Sequence, residues 1–298
     1  GGNANAMAVF NASEQESMKR GAVIYNELCS ECHGDNGTGT LISPGVLMAP
    51  SFAGNTRVQG NHEFVTKVLL KGLSGSIEGK NYAGGVMVPM AEHPDEWIAD
   101  ITSYIRNNFG NSGSFVTKED VAEMRTKTAT QQTFYNYDEL IATIPNAMII
   151  NSNWNITASH AQPTLVGGKA AASGAFSFEG WTTGVKQIPG MWFQVEMPTA
   201  TTISGLEFDS PGVRVQGTTP TTIETYPREF IVQISMDGNN WTQIAQGKGN
   251  SRKTWVPFKP VRAKFVKITQ TATAEDDSPW RMQAMKLYEV GKTELASN

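Results

Sequence analysis

Hydrophobic positions follow two different periods along this chain. Up to about residue 110 they recur at helical spacing. Met18, Ala22 and Tyr25 share one face of a segment running into Cys29. Ahead of it, Ser13-Glu14-Gln15-Glu16 has the form of a capping box, with Ser13 as cap and Glu16 reaching back. Asn61 is placed to cap a second helix carrying Phe64, Val65, Val68 and Leu69, stopped at Gly72. Pro94, Asp95 and Glu96 open a third helix. Ile98, Ile101 and Ile105 form its stripe, Trp97 and Tyr104 lie beside them, and Asn107-Asn108-Phe109-Gly110 ends it. Glycine- and proline-rich loops, residues 34–50 and 72–89, separate these helices. A thin helical shell with long loops suits a domain whose core is completed by a cofactor.

From about Ile149 the period is two. Phe230, Val232, Ile234 and Met236 alternate on one face, and Asp237-Gly238-Asn239-Asn240 is a hairpin-type turn leading to Trp241. Trp192–Met197, Ile203–Phe208, Lys264–Thr269 and Met282–Val290 are further strand candidates. Strands at this spacing predict an all-β sandwich. Residues 113–148 hold no sustained pattern. A short helix capped by Thr117 and Asp120 is expected there, then Asn136-Tyr137-Asp138-Glu139 and a turn at Pro145, the whole acting as a linker. The expected organisation is a flexible leader (1–10), a helical domain (11–112), the linker (113–148), a β domain (149–291) and a tail (292–298).

The formal net charge of −4, with no run of like charges, argues against a nucleic-acid stripe or a polybasic membrane surface. No apolar stretch is long enough to cross a bilayer.

The chemistry concentrates at Cys29-Ser30-Glu31-Cys32-His33. These are the two cysteines of the chain, and Cys-x-x-Cys-His is the attachment signature of a c-type haem. Each thiol can form a thioether to one haem vinyl, and the adjacent His can ligate the iron. A thioredoxin-like disulfide should follow a strand, whereas this motif follows a helix. A structural zinc wants four closely spaced ligands, and His62, His93 and His160 stand alone. A second axial ligand is expected from the loop holding Met87 and Met90.

Further segments carry a family resemblance. Tyr25-x-x-x-Cys29, His33-Gly34-Asp35-x-Gly37-x-Gly39, Ala49-Pro50-Ser51-Phe52-Ala53-Gly54 and Tyr104-Ile105-Arg106 make residues 11–112 resemble the class I cytochromes c. The resemblance implies an all-α cytochrome c fold around one covalently attached haem c. It also implies an axial Met in a Met-x-Pro loop, which favours Met87 over Met90. The ring N–H of His33 needs an acceptor, for which the loop carbonyls near Pro44 and Pro50 are candidates. Arg57 and Tyr82 are candidate donors to the haem propionates.

The β half resembles the coagulation factor five/eight type C, or discoidin, family. The resemblance rests on Asn153–Ser159, Gly180-Trp181-Thr182-Thr183-Gly184, Pro189–Val195, Pro227 through Trp241 and Arg262–Ile268. It implies an eight-stranded, galactose-binding-like jelly-roll sandwich whose loops bind sugars, phospholipids or proteins. The Asp-Gly that many members carry near calcium is replaced by Val166-Gly167-Gly168-Lys169, which argues against a calcium ion there. Glu275, Asp276 and Asp277 read as a solvated loop. Trp181, Tyr226, Trp280 and Arg281 are candidate ligand-binding residues, as aromatic platforms with polar neighbours.

Together these readings predict an electron carrier rather than an enzyme. A haem with both axial positions filled exchanges single electrons, with a redox protein such as a dehydrogenase or oxidase as partner. The β domain would dock it to a glycan, a surface or a protein. A carbohydrate-binding protein with an accessory haem, and a haem enzyme or sensor, are the competing classes. Covalent haem attachment implies export to the periplasm or cell surface, with a signal segment outside this sequence and a lipid anchor compatible with it.

Overall fold

The computed structural model describes residues 9–162 and 172–291. It forms two compact units. Among the described residues, one runs to Pro145 and takes in Gly291; the other is Asn146–Val290.

In the first unit, helix α1 spans Ala12–Ile24. Its capping box is Asn11 with Glu14, two residues ahead of the expected Ser13 and Glu16. Asn caps at least as well as Ser, and Glu14 stands at the required third position. Phe10 of the expected leader packs edge-on against Phe115, with ring centroids 5.1 Å apart. The helix widens into a π-helical turn, Tyr25–Cys29, and continues as α2, Ser30–His33, until Gly34 (φ +76°) ends it. Helices α3 (Glu63–Lys71) and α4 (Asp95–Asn107) follow the predicted stripes. α1 packs closely on α4. A Cβ on Gly21 would lie 2.5 Å from both the Asp100 carbonyl and Tyr104 Cβ, so only glycine fits. Arg20 and Ser17 seal the crossing by donating to the Asp100 carboxylate at 2.6–3.0 Å.

The expected linker is built into this unit instead. Helix α5, Lys118–Lys127, starts at the predicted Thr117/Asp120 box. A further helix, α6 (Tyr137–Thr143), starts at a box of Asn136 and Glu139. At seven residues it is too short to display a period. Val116, Val121 and Met124 join the main core, whereas Tyr135, Leu140 and Ile144 form a second cluster with Leu73. Four short strands complete the unit. β1 (Leu41–Ser43) pairs with β2 (Val46–Leu47), and β3 (Leu73–Ser74) with β4 (Val86–Met87).

The second unit is built of antiparallel strands: β5 (Asn146–Ala147), β6 (Asn155–Ala158), β7 (Trp181–Lys186), β8 (Trp192–Asp209), β9 (Val213–Val215), β10 (Thr221–Ile223), β11 (Glu229–Ser235), β12 (Thr242–Lys248), β13 (Lys253–Gln270) and β14 (Pro279–Glu289). Eight of them form one sheet, in the order β12-β11-β13-β8-β14-β5, with β6 also on β8 and β7 on β14. The segments Trp192–Met197 and Ile203–Phe208 prove to be one 18-residue strand, β8. It pairs with β13 through register shifts at Pro257/Val261 and Ala263/Phe265, where extra residues let the pair bend. Phe230, Val232 and Ile234 face the core as the alternation predicts, but Met236 lies beyond β11 and is 52% exposed. The turn takes over there. Asp237 accepts hydrogen bonds from the Asn239 and Asn240 backbones, Asn240 Nδ2 and the Ser235 hydroxyl.

Candidate haem pocket

The first unit encloses a cavity of about 680 Å³, well within the range of about 300–1,000 Å³ usual for small-molecule sites. The helical attachment segment forms one wall. The π turn shifts the helical phase ahead of Cys29, and Cys29, Cys32 and His33 all line the cavity. Tyr25 anchors the turn: fully buried, it donates to the Gly34 carbonyl at 2.7 Å. Burial pushes the Cys29 thiol up to about 11, with a smaller contribution from Cys32. Both thiols are free.

His33 is 8% exposed and stacks on Phe52, with centroids 4.2 Å apart and planes 19° from parallel. Burial lowers its pKa to about 4, against a smaller opposing effect of the Pro50 carbonyl. The ring is therefore neutral at physiological pH. That carbonyl is near the ring, but Nδ1 has no well-formed hydrogen bond and is sealed from solvent. The loop reaches His33 because the Gly39 and Thr40 amides donate to the His33 and Cys32 carbonyls, and Phe52 N to Gly37 O. Of the two expected carbonyls, Pro50 lines the cavity. Pro44 does not: it sits in the exposed turn between β1 and β2.

Met87, on β4, and Met90 both line the cavity and are half-buried. The Met90 amide is tied to the Leu69 carbonyl at 2.7 Å. A third thioether, Met48, also lines it; standing in an aperiodic loop, it gave no sequence signal. Arg57 and Tyr82 are on the lining as expected, together with Lys80 and Tyr137. Arg57 Nε donates to Tyr137 Oη at 3.0 Å, and Tyr137 Oη donates to Glu78 Oε1 at 2.7 Å. Tyr137 and Glu78 were missed because they lie outside any motif. A covalent haem fits this set: two thiols, a buried imidazole and thioethers on one lining, with apolar walls and cationic and hydroxyl donors.

The second unit corrects the sugar-platform reading. Trp181 and Trp280 are 2% and 0% exposed and pack edge to face, 5.0 Å apart, so neither offers a platform. Large aromatics within an alternating strand are used first to fill a sandwich core. Tyr226 and Arg281 remain accessible in part and lie close together, since the Arg281 amide donates to the Thr225 carbonyl. Arg228 stacks over Tyr226 at 4.9 Å and pairs with Glu275 and Asp276, so the acidic loop is partly neutralised rather than freely solvated. Residues 166–169, which bear on calcium, lie outside the described residues. Among the described residues no cluster of three or more His, Cys, Asp or Glu is placed to hold a metal ion.

Residues 18–109 match the family model "Cytochrome c". Cytochrome c-552 of Thermus thermophilus is 35% identical over 122 residues, covering 38% of this chain and 88% of the relative. A second cytochrome c-552 from the same species aligns at the same identity, with 78% of its length covered. The chain belongs to the cytochrome c family. Membership implies a covalently bound haem c, for which the cavity of the cytochrome unit has the residues described above. The cytochrome is joined to a second module, as residues 155–284 match the family model "F5/8 type C domain". Solved structures similar to this chain include CpGH89CBM32-5 from Clostridium perfringens in complex with GalNAc-beta-1,3-galactose. It is 18% identical, with a TM-score of 0.36, covering 46% of this chain and 95% of that one. The family 32 CBM from C. perfringens NanJ in complex with galactose is 19% identical, with a TM-score of 0.37, covering 49% and 100%. Likeness at this level adds no argument about ligands. The cytochrome unit extends past its matched region, since Val116 to Ile144 complete its two cores.

Proposed function

We propose that this protein carries single electrons through one haem c bound covalently by Cys29 and Cys32. His33 and Met87 would hold the iron, with Met90 the alternative to Met87. The supporting observation is the shared cavity. It brings the attachment thiols and a buried neutral imidazole to one space with the Met87–Met90 loop, which is far from them in sequence. Cys29 and Cys32 would each hold the haem through a thioether. Bound in this way, a haem c supplies a reversible one-electron change between Fe(III) and Fe(II). The residues tune that change. Burial keeps the His33 lone pair unprotonated. A Met thioether favours the reduced state and raises the potential. Apolar walls exclude water, and Arg57 and Tyr82 serve the propionates.

The partner is an extracytoplasmic redox protein of the dehydrogenase or oxidase class, in keeping with an exported protein. The F5/8 type C unit docks the carrier to a glycan, surface or protein ligand through the face that includes Tyr226 and Arg281. No helix among the described residues is long and apolar enough to cross a membrane. Expression alongside haem-attachment machinery tests the core of this reading. The haem should remain with the chain after denaturation, be lost when both Cys29 and Cys32 are replaced by Ala, and exchange electrons with soluble redox mediators. Haem released by denaturant, or a reduced protein inert to every mediator, would contradict it. A glycan array with Tyr226→Ala and Arg281→Ala tests docking: binding lost in both variants supports the assigned face, and binding kept in both removes it.

A further inference from the structure

We propose that residues 133–145, beyond the region matched to cytochromes c, act as a strap that positions the Met87 side of the haem pocket. This rests on the haem reading above. Three independent observations converge on it. In the backbone, Tyr135 N donates to the Gly72 carbonyl at 3.3 Å and Ser74 N to the Tyr135 carbonyl at 2.9 Å. Tyr135 thereby adds a third chain beside β3, in a parallel bridge to Leu73, and Leu73 pairs on its other side with Met87. Two two-residue strands do not hold each other in water without such support.

In the packing, Leu73, Tyr135, Leu140 and Ile144 form a buried cluster, and Met87 lies against it. Strap and ladder are pressed together at Gly72 (φ +77°). A Cβ there would come within 2.7 Å of the Met87 carbonyl and 3.0 Å of the Phe134 ring. At the rim, Tyr137 on α6 takes a hydrogen bond from Arg57 and gives one to Glu78, joining two separate cavity loops. Leu140 and Tyr137 are thus positioning residues. They hold the strand that carries Met87 and the loop that carries Arg57. A well-held Met87 would resist displacement by an outside ligand, and a loosened one would yield to it.

The test is imidazole binding to the oxidised holoprotein, followed by visible spectra. The variants are Leu140→Ala, Tyr137→Phe and, as control, Val121→Ala. Val121 is as fully buried as Leu140 but belongs to the main core, against which Met87 also packs, so it controls for a cavity made on that side of Met87. Leu140→Ala should bind imidazole about tenfold more tightly than wild type, equivalent to about 1.4 kcal/mol. Val121→Ala should match wild type, and Tyr137→Phe should shift the same way as Leu140→Ala by less. Equal behaviour of Leu140→Ala and Val121→Ala would overturn the strap. Should Leu140→Ala not accumulate as folded protein, Tyr137→Phe decides: tighter imidazole binding supports the strap, and wild-type affinity overturns it. A wild-type protein without covalent haem, visible in the same spectra, would overturn both this inference and the reading beneath it.

Discussion

The two units bury their conspicuous residues to opposite ends. In the β unit, Trp181, Phe193, Phe208 and Trp280 close a filled core, and Trp181 Nε1 is satisfied by the His160 carbonyl at 3.0 Å. In the cytochrome unit, the conspicuous residues surround a hollow, and His33 lines it. Burial alone therefore does not distinguish a packing residue from a binding one. An adjoining empty volume does. The tryptophans of the β unit are scaffold, whereas the imidazole of His33 borders an empty volume.

The comparison can be broken from either side. Trp280→Ala should produce the largest effect. Emptying a fully buried indole costs about 3–5 kcal/mol, so calorimetry should show the β unit melting far lower while the haem spectrum stays as in wild type. A changed spectrum would mean the two units are not independent. Ile234→Ala beside Met236→Ala sharpens the point within one expected stripe. Ile234 is in the core and should cost about 2–5 kcal/mol, whereas Met236 is exposed and should stay within about 0.5 kcal/mol, both read by denaturant titration. In the cytochrome unit, Gly21→Ala forces a methyl against the α4 backbone. Overpacking of this kind costs about 1–3 kcal/mol, and its thermal midpoint should fall accordingly.

The smallest expected effect concerns Asp237. Hydrogen bonds from the Asn240 and Asn239 backbones, then from the Asn240 and Ser235 side chains, hold its carboxyl well below the ordinary value of 3.8. Because the folded value is depressed, the turn's contribution is present above the ordinary aspartate range and is lost as pH falls through the folded value. Carboxyl-carbon NMR should show Asp237 titrating below other aspartates; an ordinary midpoint would mean that the turn does not hold it.

Much of this was legible in the residues. Cys29–His33 carries its own chemistry, and the Ile98, Ile101 and Ile105 stripe carries its own geometry. Fold signatures such as Trp181-Thr182-Thr183-Gly184 pointed to the β sandwich. What stayed hidden had physical reasons. Helix α6 is shorter than two full periods, so Tyr137 and Leu140 appeared to belong to a linker. Trp280 looked like a platform because sequence shows an aromatic residue without its depth. Met48 lies in a loop whose path is set by glycines and backbone hydrogen bonds rather than by a pattern of side chains.

The central claim is that the hollow in the cytochrome unit holds a haem between His33 and Met87. Its most direct test is the absorption spectrum of the oxidised holoprotein, recorded for wild type, Met87→Ala and Met90→Ala. The expected result is the weak far-red band of a thioether-ligated ferric haem in wild type and Met90→Ala, and its loss in Met87→Ala. A band that survives in Met87→Ala and disappears in Met90→Ala, or is absent from all three, would contradict it.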